Sequence, residues 1–193
     1  MANQLSPEEK SYLLQLARHT IEAKLEQKSV PAPNSDSMSD NLKTLTGCFV
    51  TLHKEGQLRG CIGYLEGKEP LFQAVIDNAT HAAFSDHRFS PVKKNELPLL
   101  DIEITILTPA QPLEYADSND LLDKIRPHID GLIIKKGYHQ ATFLPQVWEQ
   151  LPKKADFLTY LCNKAGMAGD EWKKGEMNVF TYQAYYFSES DSQ

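Results

Sequence analysis

A cysteine that is flanked by glycines and preceded by an arginine is the part of this sequence best suited to chemistry. Arg59 stands two residues before Cys61 in the segment LRGCIG, residues 58–63. Alternate residues of a strand share a face, so the guanidinium and the thiol are expected on the same side. A cation beside a thiol stabilises the thiolate, which is the nucleophilic form. Cys61 is therefore a candidate nucleophile or covalent carrier, with Arg59 as its electrostatic partner or as an anion anchor.

The glycines around Cys61 suggest a binding surface. Gly60 and Gly63 carry no side chains, which permits the close approach of a ligand or of another backbone. An alternative stays open, because a cysteine in an apolar strand commonly fills space as a small hydrophobic residue. In that case the glycines would let a peptide or a partner strand dock on a non-catalytic binding or adaptor protein.

A second polar cluster, Asp86, His87 and Arg88, lies between two phenylalanines in a predicted loop. Loops carry function more often than strands do. If this loop lies beside Cys61, His87 is a candidate general base and Asp86 can orient it or act in acid–base chemistry, which gives a Cys–His–Asp arrangement. Arg88 is a candidate binding residue. The structural alternative is that Asp86 caps a turn and pairs with Arg88.

Length and composition limit the class of protein. The chain has 193 residues, of which 41% are hydrophobic and 24% charged, and this predicts one folded domain over residues 1–193. A net charge of -6 disfavours nucleic acid as a partner. Nucleotide or RNA binding through Arg59, Lys135 and Lys136 is a third hypothesis, and the lack of a glycine-rich phosphate loop weighs against it.

The sequence also predicts where the protein resides and what it lacks. The chain shows no secretory leader and no apolar run of membrane-spanning length, and its three cysteines do not suggest a disulfide framework. A cytoplasmic protein is expected. The cysteines and histidines show no paired ligand spacing, so neither a metal nor a cofactor is predicted. The oligomeric state is not predicted.

The predicted elements place Cys61 in a hairpin. Ser6, Pro7 and Glu9 predict the start of an N-terminal helix over about residues 6–27. A surface loop over about 28–41, a core over about 42–188 and a short disordered tail follow. A first hairpin turning at Glu55–Gly56 would pair Val50 with Cys61. Further elements are predicted over these ranges: a helix at 69–84, a strand at 99–107, a second hairpin at 130–144, helices at 145–151 and 154–165, and a strand at 178–187.

The segment LRGCIG resembles the hallmark hexapeptide of the AmmeMemoRadiSam system protein A family, the family of the AMME-syndrome chromosomal-region protein. Further resemblances cover most of the chain: FVTL at 49–52, DHRFSP at 86–91, FLPQV at 143–147 and KAG at 164–166. His87 departs from the family pattern, which has proline there. The resemblance implies an α+β fold in which two related hairpin and helix halves share one curved, barrel-like, mainly antiparallel sheet flanked by helices.

The resemblance also implies partners. It suggests a Memo-like protein and a radical-SAM protein in a shared modification pathway, and it supplies no agreed reaction. The leading hypothesis is therefore an enzyme or enzyme accessory with a reactive Cys61, acting on a small molecule or a peptide.

Overall fold

The computed structural model describes residues 5–30 and 33–192. Its α-helices and strands follow in the order α1 (Pro7–Leu25), α2 (Asp40–Lys43), β1 (Cys48–Lys54), β2 (Gln57–Tyr64), α3 (Leu71–Phe84), β3 (Leu100–Leu107), β4 (Gln111–Pro112), α4 (Ser118–Lys124), β5 (Gly131–Lys136), β6 (His139–Phe143), α5 (Lys154–Lys164), β7 (Asn178–Tyr182) and β8 (Ala184–Ser188). Short 3₁₀ helices lie between several of them. Helices and antiparallel strands confirm the α+β class.

The described chain divides into two compact units. One takes in the residues up to Leu107 and those from Tyr185 onward, and the other is Thr108–Ala184. The strands form two four-stranded sheets, whereas one shared sheet was expected. Sheet 1 has the order β2-β1-β3-β8 and sheet 2 has the order β4-β7-β5-β6. A hairpin with a positive-φ glycine in its turn lies in each sheet, at Gly56 and at Gly137.

In the first unit, α1 and α3 cover one face of sheet 1. The predicted capping box starts α1, because the Ser6 hydroxyl accepts from the Glu9 N–H while the Glu9 carboxylate accepts from the Ser6 N–H. Alternate residues of the strands, among them Val50, Ile102 and Ile104, are fully buried in this core. Burying such aliphatic side chains stabilises the fold by about 1.5–3 kcal/mol each.

The second unit has its own core. Strands β5 and β7 contribute Leu132, Ile134 and Val179, and α4 and α5 pack on them. Trp148 and Phe157 stack with ring centroids 3.7 Å apart. The predicted strand over 178–187 is two strands, and the predicted helix over 145–151 is the 3₁₀ helix Pro145–Glu149.

The chain beyond β8 was expected to be a disordered tail. Up to residue 192 it instead forms the 3₁₀ helix Ser190–Ser192, and the Glu189 carboxylate pairs with the Arg18 guanidinium of α1. Gln193 lies outside the described residues.

A β-bulge at Arg59 sets the register around the candidate site. The hairpin turns at Glu55–Gly56 as predicted, and His53 pairs with Leu58. The next pair is Leu52 with Gly60, so Arg59 has no partner in β1. The predicted pairing of Val50 with Cys61 is wrong for this reason, since one extra residue moves every later side chain to the other face.

Candidate functional site

Cys61 lies opposite Thr51 in the paired strands β1 and β2. The Thr51 hydroxyl donates to the Cys61 thiol, with 3.3 Å between Oγ1 and Sγ. Of the three cysteines, Cys48 and Cys162 are buried and Cys61 is partly exposed. Cys61 is therefore the cysteine that a reagent or substrate can reach.

Cys48 lies on the opposite face of sheet 1, because it pairs with Tyr64, three residues beyond Cys61. Burial raises the pKa of the Cys48 thiol to about 12. Cys48 is therefore a core residue and is not placed to act as a redox partner of Cys61.

Asp86 and Arg88 hold the backbone of Cys61. Strand β2 is at the edge of sheet 1, and the Cys61 N–H donates outward to Asp86 Oδ2 at 2.9 Å. Arg88 Nη2 donates to the Cys61 carbonyl at 3.2 Å. Two side chains from the predicted loop thus occupy the positions that a further strand would take. The loop does reach Cys61, and it does so through Asp86 and Arg88.

The same two residues form a close ion pair. Arg88 Nε and Nη2 donate to the Asp86 carboxylate at 2.9 and 2.7 Å. The Arg88 hydrogen bonds, together with the backbone bond from Cys61, hold the pKa of Asp86 well below its usual range. A carboxylate that resists protonation is a poor general base. Asp86 therefore orients Arg88 and Cys61, and the predicted acid–base role does not fit it.

The Arg59 guanidinium pairs with the Glu96 carboxylate and not with Cys61. Its Nε and Nη2 each lie 3.1 Å from a Glu96 carboxylate oxygen, and Nη2 also donates to the Ser90 carbonyl. The cation that bonds to Cys61 is Arg88, whose Nη2 donates to the Cys61 carbonyl. The hydrogen bond with Asp86 is the main cause that raises the Arg88 pKa. Sequence spacing selected Arg59 because it assumed a regular strand, and the bulge removes that assumption.

His87 takes no part in these contacts. Its side chain is exposed, and no hydrogen bond or ion pair joins it to another described residue. The predicted Cys–His–Asp arrangement is therefore not assembled in the described structure, although Cys61 and Asp86 do meet.

Gly60 and Gly63 are explained by packing inside the first unit. A Cβ on Gly60 would lie 2.2 Å from the Ala82 carbonyl oxygen of α3, so the helix rests directly on this position. A Cβ on Gly63 would lie 2.4 Å from the Phe49 ring. The space that was predicted to admit a ligand is thus taken by the protein's own helix and ring.

The face of sheet 1 that carries Cys61 is polar, and we call it the polar face of sheet 1. The register places these residues on it: Phe49, Thr51, His53, Cys61, Gly63, Asp101, Glu103 and Thr105. Thr51 pairs with Cys61 on one side and with Glu103 on the other. Glu103 is half-buried, and burial raises its pKa. The strand alternation around Glu103 was visible in the sequence, and its place beside Cys61 was not.

The basic residues of the third hypothesis are engaged within the protein. Arg59 is held by Glu96, and Lys136 Nζ lies within 2.8 Å of both Glu171 and Glu176. Lys135 Nζ lies over the Phe180 ring. These cations do not form a free basic patch for phosphate groups.

The fold and the site together define an α+β protein with two four-stranded sheets. On the edge strand of one sheet lies a cysteine whose backbone is hydrogen-bonded by Asp86 and Arg88. A family model named AMMECR1 matches residues 14–187. A protein of Methanothermobacter thermautotrophicus is 41% identical over 187 residues, or 96% of each chain. A protein of Methanosarcina acetivorans is 41% identical over 182 residues, which is 92% of this chain and 90% of that one.

Among solved structures, the chain is similar to the crystal structure of the uncharacterized protein PH0010 from Pyrococcus horikoshii. The TM-score is 0.81 and the sequence identity 34%, with 96% of this chain and 93% of that chain covered. The chain belongs to the AMMECR1 family. Within residues 5–30 and 33–192, no helix is both long and apolar enough to cross a membrane.

Proposed function

We propose that this protein is an enzyme or enzyme accessory whose reactive group is the Cys61 thiol. The observation that carries the proposal is the setting of that thiol. Cys61 is partly exposed, its sulfur accepts a hydrogen bond from Thr51, and its backbone is held on both sides by the Asp86–Arg88 pair. Such a fixed backbone presents the sulfur in one position, as a nucleophile or a covalent carrier requires.

Two donor groups bond to Cys61, the Thr51 hydroxyl at its sulfur and the Arg88 guanidinium at its carbonyl. A hydroxyl donor and a guanidinium both stabilise a thiolate more than a neutral thiol. In this proposal Thr51 and Arg88 supply these two interactions, and Asp86 positions Arg88. The structural support for Arg88 is its hydrogen bond to the Cys61 carbonyl and its pairing with the Asp86 carboxylate.

The proposal includes a pathway. The resemblance of LRGCIG to the AmmeMemoRadiSam hexapeptide supports a Memo-like protein and a radical-SAM protein as partners in a cytosolic modification reaction. Cys61 would react with an electrophilic small molecule or peptide, and a partner would supply or consume the product. Family membership alone does not name a reaction, so the chemical part of the proposal rests on the Cys61 site and the partners rest on the resemblance.

A matched pair of arginine variants tests the proposal. Arg88→Gln removes the cation beside Cys61, and Arg126→Gln removes an equivalent cation from the buried Asp130 of the second unit. We expect the iodoacetamide labelling rate of Cys61 at neutral pH to fall about tenfold in Arg88→Gln, because the guanidinium that holds the Cys61 carbonyl and pairs with Asp86 is lost. Arg126→Gln should keep the wild-type rate. Equal rates in both variants and wild type would contradict the proposal.

A second candidate function is peptide binding at the edge of sheet 1. Gly63 lies two residues beyond Cys61, so its N–H and C=O point in the same outward direction, and Tyr64 and Leu65 beyond it are exposed. An extended peptide can pair with such an edge. In this case the protein is a non-catalytic adaptor. Capture of a partner that survives Cys61→Ala would favour the adaptor over the enzyme.

A further inference from the structure

Three residues form one row across the polar face of sheet 1. Thr51 of β1 is the Cα partner of both Cys61 of β2 and Glu103 of β3. Directly opposite residues of paired strands project from the same face, with Cβ atoms about 4.5–5.5 Å apart. A nucleophilic sulfur, a hydroxyl and a carboxyl group therefore stand side by side, with the hydroxyl in the middle.

Glu103 has the environment of a proton-transfer group. It is half-buried, and it forms no ion pair with any residue of the described ranges. Burial is the main cause that raises its pKa, with the negative charges of Asp101 and Asp191 adding to the effect. His53 on the same face and the Thr105 hydroxyl act in the opposite direction.

Other carboxylates near Cys61 do not suit this task. Asp86 is held in its charged form by Arg88 and the Cys61 N–H. Glu96 is bound by Arg59 and Lys54, and these hydrogen bonds lower its pKa to about 2. Asp101 lies on the same face, but it pairs with His53 one position further along the strands and accepts hydrogen bonds from Ser190. Glu103 is thus the carboxyl group in the same row as Cys61, and it forms no ion pair within the described residues.

We propose that Glu103 is the acid–base residue of the Cys61 site and that it protonates the leaving group of an acyl substrate attacked by the Cys61 sulfur. This inference rests on the proposed function. Asp101 and Asp191 give the region around Glu103 a negative charge, which disfavours an anionic phosphoryl group and suits an uncharged carbonyl carbon.

The reaction begins when the Cys61 thiolate attacks the carbonyl carbon. A sulfur–carbon bond forms, and the carbonyl electron pair moves to oxygen. When the carbonyl re-forms, the bond to the leaving group breaks and the protonated Glu103 gives that group its proton. The products are an acyl thioester on Cys61, a neutral leaving group and a Glu103 carboxylate, which water reprotonates. A nucleophile on a partner would then take the acyl group from the thioester.

A series of aryl acetates tests this role without the natural substrate. A nitrophenolate leaves without a proton, whereas a more basic phenolate leaves faster when an acid protonates it. We therefore expect Glu103→Gln to acetylate Cys61 with p-nitrophenyl acetate within about twofold of the wild-type rate, but with phenyl acetate about tenfold or more slowly. Acetylated Cys61 is measured by peptide mass spectrometry.

Glu69→Gln is the matched control. Glu69 is also a half-buried carboxyl group of the first unit whose pKa burial raises. This variant should keep the wild-type dependence on the leaving group. Circular dichroism checks that both variants are folded, and Glu103→Asp provides a second, conservative variant that should restore part of the phenyl acetate rate.

The outcomes separate the two proposals. If Cys61 reacts quickly with iodoacetamide and p-nitrophenyl acetate while Glu103→Gln keeps the wild-type dependence on the leaving group, the role of Glu103 is overturned and Cys61 as the reactive thiol stands. If neither reagent modifies Cys61 in the folded protein, the proposed function fails and the role of Glu103 fails with it.

Discussion

At the scale of single residues, the ion pairs next to Cys61 act by fixing the chain around it. Asp86 and Arg88 bond to both backbone groups of Cys61, and Glu96 ties Arg59 of the bulge to the loop that carries Arg88. These carboxylates are stabilised in their charged forms by hydrogen bonds. Their contribution to stability therefore depends on pH in a direction that follows from their lowered pKa values.

Glu96→Gln should make the protein less sensitive to acid. The Arg59 hydrogen bond is the main cause that lowers the Glu96 pKa from 4.5 to about 2 in the folded protein. A carboxyl group with a lowered folded pKa stabilises fully above its unfolded pKa and loses that effect as pH falls toward its folded pKa. The difference in unfolding free energy between wild type and Glu96→Gln should shrink from about pH 4.5 to about pH 2.

Urea unfolding followed by circular dichroism at several acidic pH values measures this difference. Glu114→Gln, at an exposed carboxylate of the second unit, is the control and should show no comparable trend. A constant difference between wild type and Glu96→Gln across the acidic range would contradict the ion pair of Arg59 and Glu96.

The residues of the site were visible in the sequence, and their partners were not. Cys61, Asp86 and Arg88 stood out by residue type and by their place in a strand or a loop. Which cation bonds to Cys61 depends on contacts between residues 27 positions apart, such as Arg88 with the Cys61 carbonyl. Local patterns do not specify such contacts. The row of Glu103 with Thr51 and Cys61 is likewise not specified locally, because it requires three strands in register.

At the scale of elements, the bulge in β2 decides which face Cys61 occupies. Without the extra residue Arg59, Cys61 would lie opposite Val50 in the core beneath α1 and α3. With it, Cys61 joins Thr51 and Glu103 on the polar face of sheet 1. Capping residues predicted where the helix starts, glycine predicted the hairpin turn, and alternating apolar residues predicted the strand. A single unpaired residue in a strand leaves no comparable signal in one sequence.

The contact between α3 and β2 predicts a large cost for Gly60→Ala. The added methyl group would meet the Ala82 carbonyl oxygen at 2.2 Å, so helix or strand must shift. We expect a loss of about 3 kcal/mol in unfolding free energy, at the upper end for overpacked cores. Urea unfolding measures the loss.

Gly56→Ala is the comparison for this prediction. Gly56 has φ of 76° in the hairpin turn, and nothing lies within 4 Å of an added Cβ, so only its conformational strain of about 1 kcal/mol is expected. If Gly60→Ala costs no more than Gly56→Ala, the close packing of α3 on β2 is wrong.

At the scale of the whole molecule, the two buried cysteines mark the two cores. Cys48 lies in the core of the first unit and Cys162 in that of the second. A reagent can reach either thiol only when the core around it opens. If residues 1–193 form one domain, as predicted, we expect the Cys48 and Cys162 thiols to become reactive at the same denaturant concentration, because a single domain usually unfolds in one step.

The reactivity of Cys61 is tested most directly by the iodoacetamide labelling rates of all three cysteines in the wild-type protein, folded and denatured. Peptide mass spectrometry resolves the three rates. We predict that Cys61 labels in the folded protein at least as fast as in the denatured chain, whereas Cys48 and Cys162 label only after unfolding. If Cys61 is protected in the folded protein as strongly as Cys48, then Cys61 is a structural residue and the proposed reactive site is contradicted.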